Sequence, residues 1–189
     1  VSRIFRGIGR NVGMTTTSGI YFNEQLMLKA DASGPKSARA VLRHPLVDVA
    51  VLETARGGIL REGLGFDAAD VGALLNVSAD HLGIKGIDTL EQLADVKGVV
   101  VESVARRGHS VLNADDPMCL RASRHARGRR VWFSLNGGAT MPPHLAAHIE
   151  DGGTAFVREP GPRGGCIVGF EGGRRMRVMP VAQGPATLD

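Results

Sequence analysis

Residues 71–83 read Val-Gly-Ala-Leu-Leu-Asn-Val-Ser-Ala-Asp-His-Leu-Gly, an almost unbroken apolar run that stops at Asp80-His81. A short apolar run that ends in polar residues and glycine is typical of a strand buried on both faces of a parallel sheet. Ligands of open α/β sheets bind just beyond the carboxyl ends of such strands. The stretch therefore predicts that Asp80 and His81 lie at a ligand-binding sheet edge.

Strand and helix patterns alternate around this stretch up to about residue 135. Further strands are predicted over residues 12–17, 47–53, 110–113 and 130–135. Helices are predicted over residues 1–8, 36–42 (with Ser33 as a possible N-cap), 89–104 and 117–126, and loops over 18–21 and 54–65. This order favours an α/β fold with a mostly parallel sheet, right-handed crossovers and flanking helices.

The pattern changes after residue 135, where short strands surround glycine-rich turns over residues 154–158, 166–170 and 175–181. Such spacing is typical of antiparallel hairpins. We therefore divide the chain into an α/β portion, residues 1–135, and a small antiparallel β-rich extension of the same domain, residues 136–189.

The amino-acid composition excludes several classes of protein. The 189 residues are 43% hydrophobic, which excludes wholesale disorder, and no apolar run approaches the ~18 residues of a membrane span. The two cysteines, Cys119 and Cys166, fit neither a metal nor a redox spacing, so we expect a reducing, cytoplasmic location. The net charge of +4 and the arginine-rich segment 121–130 leave an anionic partner open beside ordinary surface charge.

Oxygen-bearing side chains follow four of the predicted strands. They are Thr15 and Thr16 after the first, Glu53 after the second, Asp80 with His81 after the third, and Asn113, Asp115 and Asp116 after the fourth. Because parallel strands end at one sheet edge, we expect these groups to gather there. Carboxylates and hydroxyls suit Mg²⁺, which takes oxygen ligands and bridges to phosphates. Each acidic residue alone could equally be a helix cap or a solvated turn.

Two cationic residues stand near these strand ends. Arg56 precedes Gly57-Gly58, so the backbone could approach a ligand while the guanidinium contacts a carboxylate or phosphate. Lys97 lies among valines on the predicted helix 89–104, where a surface lysine and a reactive one are both open. The sequence contains neither a Gly-x-Ser-x-Gly elbow nor a complete Gly-x-x-x-x-Gly-Lys-Ser/Thr phosphate loop.

These motifs resemble the central ATP-binding domain of the Mur ligase superfamily and, more narrowly, the C-terminal half of the cyanophycin synthetase family. The matching stretches are Val12-Gly-Met-Thr-Thr-Thr-Ser-Gly-Ile-Tyr21, Gly34-Pro-Lys-Ser-Ala38, Val49-Ala-Val-Leu-Glu-Thr-Ala-Arg-Gly-Gly-Ile-Leu-Arg61, Asn76-Val-Ser-Ala-Asp-His-Leu-Gly83 and Val111-Leu-Asn-Ala-Asp-Asp-Pro117. The Glu-Thr-Ala-Arg-Gly-Gly-Ile-Leu-Arg run is the most specific of them.

The resemblance implies ATP and Mg²⁺ as cofactors and a role for each matching residue. Glu53 and His81 would bind Mg²⁺, Thr15 and Thr16 would lie near the phosphates, and Asn113 and Asp116 would contact the adenine and ribose. Of the catalytic pair, Lys97 matches a position that is carbamylated in many Mur ligases, and Arg56 would lie near the substrate.

The implied reaction is ATP-dependent amide formation between an aspartate side-chain carboxylate and arginine. The implied partners are a polyaspartate or cyanophycin primer and arginine, in a homo-oligomer of a longer protein, with no nucleic acid and no membrane. The family fold is P-loop-NTPase-like; its first strand and phosphate-binding loop would precede Val1. We therefore expect a fragment that is inactive as a ligase on its own.

Two alternatives remain at this point. The first is another Mur-type carboxylate–amine ligase, acting on a peptidoglycan precursor or making folylpolyglutamate. The second is a non-catalytic remnant that binds nucleotide, or binds nucleic acid through residues 121–130.

Overall fold

The computed structural model describes residues 1–79, 82–83 and 86–184, and the chain divides into two compact units, Val1–Ala68 and Ala69–Asp189. The boundary predicted at residue 135 falls inside the second unit and stays a prediction. Within the described residues, no helix is both long enough and apolar enough to cross a membrane.

The first unit contains a four-stranded sheet of order β3-β2-β1-β4 with three short helices. Its elements are α1 (Ser2–Gly7), β1 (Val12–Thr16), β2 (Gly19–Phe22), β3 (Gln25–Leu28), α2 (Pro35–Leu42), β4 (Val49–Leu52) and α3 (Arg56–Glu62). β1 pairs parallel with β4 and antiparallel with β2. The parallel pair confirms the first two predicted strands, and the antiparallel meander was not predicted.

Two segments of this unit that we predicted as loops are regular structure. Of the loop predicted at residues 18–21, residues 19–21 belong to β2, which turns into β3 through Asn23 and Glu24, both at positive φ. A two-residue turn of that kind matches the twist of a hairpin. Part of the loop at residues 54–65 is the helix α3. The cap prediction also fails, because Gly34 and not Ser33 is the N-cap of α2.

The second unit contains a six-stranded sheet of order β10-β9-β8-β7-β6-β5. Its elements are β5 (Ala69–Leu74), α4 (Leu90–Glu102), β6 (Val104–Asn113), α5 (Pro117–Ala122), β7 (Arg129–Ser134), α6 (Pro143–Glu150), β8 (Thr154–Glu159), β9 (Cys166–Glu171) and β10 (Arg174–Pro180). Strands β5 to β8 are parallel, and β9 pairs antiparallel with both β8 and β10. The predicted α/β class with an antiparallel C-terminal part is confirmed.

The core of this unit lies between the sheet and its helices. Leu93 and Val101 of α4, Leu112 of β6 and Leu145 of α6 are all fully buried in one cluster. α4 begins at a capping box, in which the Thr89 side chain accepts from the Gln92 amide and the Gln92 side chain accepts from the Thr89 amide. The apolar period and this cap together fix where the helix starts.

β5 is less buried than its sequence predicted. Gly72 and Leu74 are buried, but Val71 is 57% exposed and Leu75, just after the strand, is 59% exposed. β5 is the edge strand of its sheet in the described part of the chain, and it carries α4 on one face. The prediction of a strand buried on both faces is therefore wrong for this unit.

Candidate functional site

The strand ends of β1 and β4 bring three predicted site residues together in the first unit. Thr15 is aligned with Leu52 in the parallel register, so Thr16 and Glu53 follow at the same end. The Glu53 amide donates to the Thr15 carbonyl at 3.1 Å. The Thr17 amide donates to Glu53 Oε2 at 3.2 Å. The backbones of Thr15, Thr16 and Glu53 therefore lie at the same strand end, and a meeting of the threonine hydroxyls with the Glu53 carboxylate stays a prediction.

The side-chain oxygens at this strand end differ in whether they already have hydrogen-bond partners. The Thr15 hydroxyl is buried and has no hydrogen-bond partner within the described residues. The Thr16 hydroxyl accepts from the Ser18 and Gly19 amides at 3.0 and 3.2 Å. Glu53 is exposed and keeps its Oε1 atom outside the Thr17 hydrogen bond. The exposed Glu53 carboxylate offers the hard oxygen ligand that suits Mg²⁺.

The metal site itself is not complete in the described part of the chain. No group of three His, Cys, Asp or Glu side chains that could hold a metal ion occurs among those residues. His81, the second predicted metal ligand, and its neighbour Asp80 lie outside the described residues. The assignment of Mg²⁺ to Glu53 and His81 therefore remains a proposal.

Backbone hydrogen bonds hold a short segment before α2 against the same strand end. The Ala32 amide donates to the Thr16 carbonyl, and the Ala55 amide donates to the Ser33 carbonyl, both at 3.0 Å. Asp31 accepts from both the hydroxyl and the amide of Ser33, and these hydrogen bonds lower the pKa of the Asp31 carboxyl. Our sequence reasoning missed Asp31, although Asp-x-Ser is a recognisable side-chain turn.

Arg56, predicted to lie near the substrate, is the first residue of α3. The start of that helix packs closely on the loop before α2, where a Cβ on Gly58 would lie 3.1 Å from the Pro35 side chain and 3.2 Å from Gly34. A glycine is therefore needed here for close approach. This contact places Arg56 beside the loop that precedes α2.

In the second unit, Asn113 and Asp116 follow β6 and contact the end of β5. The Asn113 side-chain amide donates to the Leu75 carbonyl at 3.0 Å, and its oxygen accepts from the Asp115 amide at 2.9 Å. Asp116 caps α5 by accepting from the Met118 and Cys119 amides at 2.7 and 3.2 Å. Its second oxygen accepts from the Val77 amide at 2.8 Å.

Asp115 makes an equivalent set of contacts on the other side, to β7. Its carboxylate accepts from the Ser134 hydroxyl at 2.6 Å and from the Leu135 amide at 2.7 Å. Burial opposes the charged form, but these hydrogen bonds, with Asn136 and His144 nearby, hold the pKa of Asp115 below its ordinary value. The sequence indicates Asp115 as a polar group at a strand end, but spacing does not show which neighbour its side chain will contact.

Lys97 lies half-buried in the middle of α4. It is near enough to α5 to act electrostatically on the Cys119 thiol. Cys119 is in the turn of α5 that Asp116 caps. The structure thus places Lys97 in the same unit as Asn113 and Asp116, and its predicted chemistry stays a prediction.

The arginine-rich segment 121–130 is largely occupied by partners within the protein. Arg121 forms a two-point ion pair with Asp95, both atoms at 3.0 Å. Arg127 lies 3.6 Å from Glu102, and Arg130 donates to the Ser123 carbonyl at 3.2 Å. Arg121 and Arg127 are thus paired with carboxylates, and arginines paired in this way bind phosphate backbones less well.

Comparisons with known proteins agree with this architecture. Residues 2–166 match the Mur ligase middle domain family. The chain is 44% identical to cyanophycin synthetase of Geminocystis herdmanii and 45% identical to cyanophycin synthetase of Synechocystis sp., each over 188 residues. Those matches cover 100% of this chain but only 21% of each relative, so the chain spans about a fifth of their length.

A solved structure shares the fold at lower identity. The structure of UDP-N-acetylmuramoyl-L-alanyl-D-glutamate–2,6-diaminopimelate ligase superposes with a TM-score of 0.64 and 17% sequence identity. The match covers 94% of this chain and 35% of that chain. At that identity the likeness concerns the fold alone.

Proposed function

Because the chain belongs to the Mur ligase middle domain family, we propose that it supplies the ATP- and metal-facing part of a carboxylate–amine ligase of the cyanophycin synthetase type. The observation that carries the proposal is the strand end where Glu53 lies beside Thr15 and Thr16. Oxygen groups at the carboxyl end of a parallel strand pair are where α/β folds bind ligands.

In this proposal Glu53 holds Mg²⁺, with His81 as a second ligand, and Thr15 and Thr16 lie toward the phosphates of ATP. A bound Mg²⁺ neutralises charge on the transferring phosphoryl group. Glu53 is suited to the role because its carboxylate is exposed and is oriented by the Thr17 amide. Thr15 is suited because its buried hydroxyl has no partner in the described part of the chain.

The proposed reaction has two steps. An oxygen of the acceptor carboxylate attacks the γ-phosphorus of ATP, so that an acyl phosphate forms and ADP leaves. An amine then attacks the acyl carbon, phosphate leaves, and the amine loses a proton as the amide forms. Arg56 would orient the carboxylate substrate by its guanidinium, and Lys97 would support the metal through a carbamylated side chain.

The proposed substrates follow the cyanophycin synthetases named above. We assign an aspartate side-chain carboxylate of a polyaspartate primer and arginine as the amine, because both cyanophycin synthetases match the full chain at 44–45% identity. A peptidoglycan or folate ligase is the alternative within the family. The run Glu53-Thr-Ala-Arg-Gly-Gly-Ile-Leu-Arg61, which resembles cyanophycin synthetases most closely, weighs against it.

A chimera tests this proposal. Residues 1–189 replace the matching segment of the Synechocystis cyanophycin synthetase, and phosphate release from ATP is measured with arginine and an aspartate oligomer. We expect turnover that needs both substrates and magnesium, and a loss of at least 100-fold in Glu53→Gln. Glu62→Gln is the matched control, since Glu62 is an ion-paired carboxylate on α3. Turnover without arginine, or equal rates in the two variants, would overturn the proposal.

A further inference from the structure

The segment Asn113-Ala-Asp-Asp116 joins the ends of three strands of the second unit. Asn113 contacts Leu75 just after β5, and Asp116 contacts Val77 two residues further along. Asp115 contacts Ser134 and Leu135 at the end of β7. The segment therefore sets the relative positions of the strand ends on both sides of β6.

The polar atoms of Asn113 and Asp116 already have partners in the protein. The Asn113 side chain donates to the Leu75 carbonyl and accepts from the Asp115 amide, which leaves one N–H and one acceptor position of this amide for a ligand. The Asp116 carboxylate accepts from three backbone amides, those of Val77, Met118 and Cys119. A carboxylate offers about four acceptor positions, so Asp116 has little capacity left for a ligand.

The hydrogen bond from the Val77 amide to the Asp116 carboxylate, here called the tether, holds the backbone that leads to Asp80 and His81. Val77 lies three residues before Asp80 in the chain, and it is buried at 7% exposure. The Val77 amide is held at 2.8 Å by a carboxylate that is itself fixed on the first turn of α5. A hydrogen bond from a backbone amide to a charged acceptor is stronger than one to a neutral acceptor.

We propose that Asp116 is a positioning residue, which holds the backbone after β5 in place and does not itself contact the nucleotide. The effect of Asp116 on nucleotide binding rests on the proposed function, whereas the hydrogen bond from Val77 to Asp116 does not depend on it. The inference reassigns Asp116 from a nucleotide contact to the support of the segment that carries Asp80 and His81.

Substitutions at Asp116 can separate the tether from the helix cap. Asn and Ser are both good N-caps, so Asp116→Asn and Asp116→Ser keep an acceptor for the first turn of α5. An asparagine oxygen cannot serve both the cap and Val77, and a serine hydroxyl is too short to span both. Asp115→Asn is the matched control, because it removes the neighbouring charge and leaves the contact with Val77 in place.

The exchange rate of the Val77 amide in the 189-residue chain measures directly whether its hydrogen bond to Asp116 is formed. We expect the Val77 amide to be protected in the unsubstituted protein and in Asp115→Asn. In both Asp116 variants it should exchange at least 10-fold faster while the α5 amides of Met118 and Cys119 stay protected. A Val77 amide that exchanges freely in the unsubstituted protein, or that stays protected in Asp116→Ser, would overturn the tether.

Nucleotide titration then separates positioning from direct contact. Binding of Mg-ATP, Mg-dATP and Mg-GTP is measured for the unsubstituted chain and for Asp116→Asn at equal folded fraction. A positioning role predicts the same loss, 5-fold or more, for all three nucleotides. A loss confined to the ribonucleotides or to adenine would show direct contact and overturn the assignment. If the unsubstituted chain binds none of them, the exchange measurement still decides the tether, and the chimera decides the proposed function.

Discussion

The hydroxyl of Ser134 donates a 2.6 Å hydrogen bond to the carboxylate of Asp115, and both side chains lie at the ends of neighbouring parallel strands. Ser134 is 3% exposed. Its oxygen also accepts from the Asn136 amide at 2.8 Å, so it orders the turn that leaves β7. This buried, charge-assisted contact joins β7 to the same segment that joins β6 to β5.

We expect Ser134→Ala to destabilise the protein by about 1–3 kcal/mol, because it removes a donor to a carboxylate and takes away the acceptor of the Asn136 amide. Urea unfolding measures the free-energy change. Ser110→Ala is the matched control, since Ser110 is as buried but donates only to the neutral Val101 carbonyl at 3.4 Å. Equal losses in the two variants would contradict the special role of the Asp115 contact.

Acid should weaken the protein through Asp115. The pKa of Asp115 in the folded state lies below its ordinary value of 3.8, since hydrogen bonds from Ser134 and Leu135 outweigh the effect of burial. A depressed folded-state pKa gives stability that is present above pH 3.8 and is lost as pH falls through the folded-state pKa.

The measurement is the free energy of unfolding of the unsubstituted protein and of Asp115→Asn at several pH values from about 6 down to 3. The stability difference between the two should be constant at the upper end and should shrink below the ordinary carboxyl pKa. Asp70→Asn, at an exposed carboxylate on β5, is the control and should change stability little. A difference that stays constant throughout the range would show that Asp115 contributes no proton-linked stability.

The strands and the long helix could be predicted because their signals are local. The apolar runs of β4 and β5 and the period of α4 are present in consecutive residues, and each element appears where its pattern indicated. The hairpin of β2 and β3 was missed because each strand has four residues and little alternation. Asn23 at the turn was the available signal, since asparagine tolerates positive φ.

Other features depend on contacts between distant residues, which spacing does not show. α3 contains Gly57 and Gly58, poor helix formers, and Gly58 is needed because α3 packs against Gly34 and Pro35. The strand ends that we expected along one edge belong to two sheets, with β1 and β4 in one and β5 and β6 in the other. The partners of Asn113 and Asp116 are likewise long-range contacts.

Gly72→Ala should be costly, because the added Cβ would lie 2.6 Å from the Val100 carbonyl oxygen and 2.7 Å from the Val104 side chain. Overpacking of this kind typically costs about 1–3 kcal/mol, measured by urea unfolding. Gly98→Ala, inside α4, is the control: its Cβ would meet only Ala122, at an ordinary 3.4 Å. That variant should be neutral or more stable by up to about 1 kcal/mol, from helix propensity. A neutral Gly72→Ala would show that α4 can move away from β5.

The two cysteines should differ sharply in reactivity. Cys119 is fully buried and donates to the Leu74 carbonyl at 3.5 Å. Burial, and next the nearby Asp116 carboxylate, raise the pKa of its thiol to about 12. Cys166 is only partly buried, and its sulfur accepts from Arg177 Nε at 3.1 Å. Since the thiolate is the reactive form, iodoacetamide should label Cys166 in the folded protein and Cys119 only after unfolding.

Peptide mass spectrometry after timed labelling at pH 8 measures both rates in one sample. We expect Cys166 to react at least 100-fold faster than Cys119 in native buffer and the two rates to converge in denaturant. Cys166→Ser serves as the control, since the remaining signal then reports Cys119 alone. Rapid native labelling of Cys119 would show that α5 separates readily from β5, which would also contradict the tight contact of Asp116 with Val77.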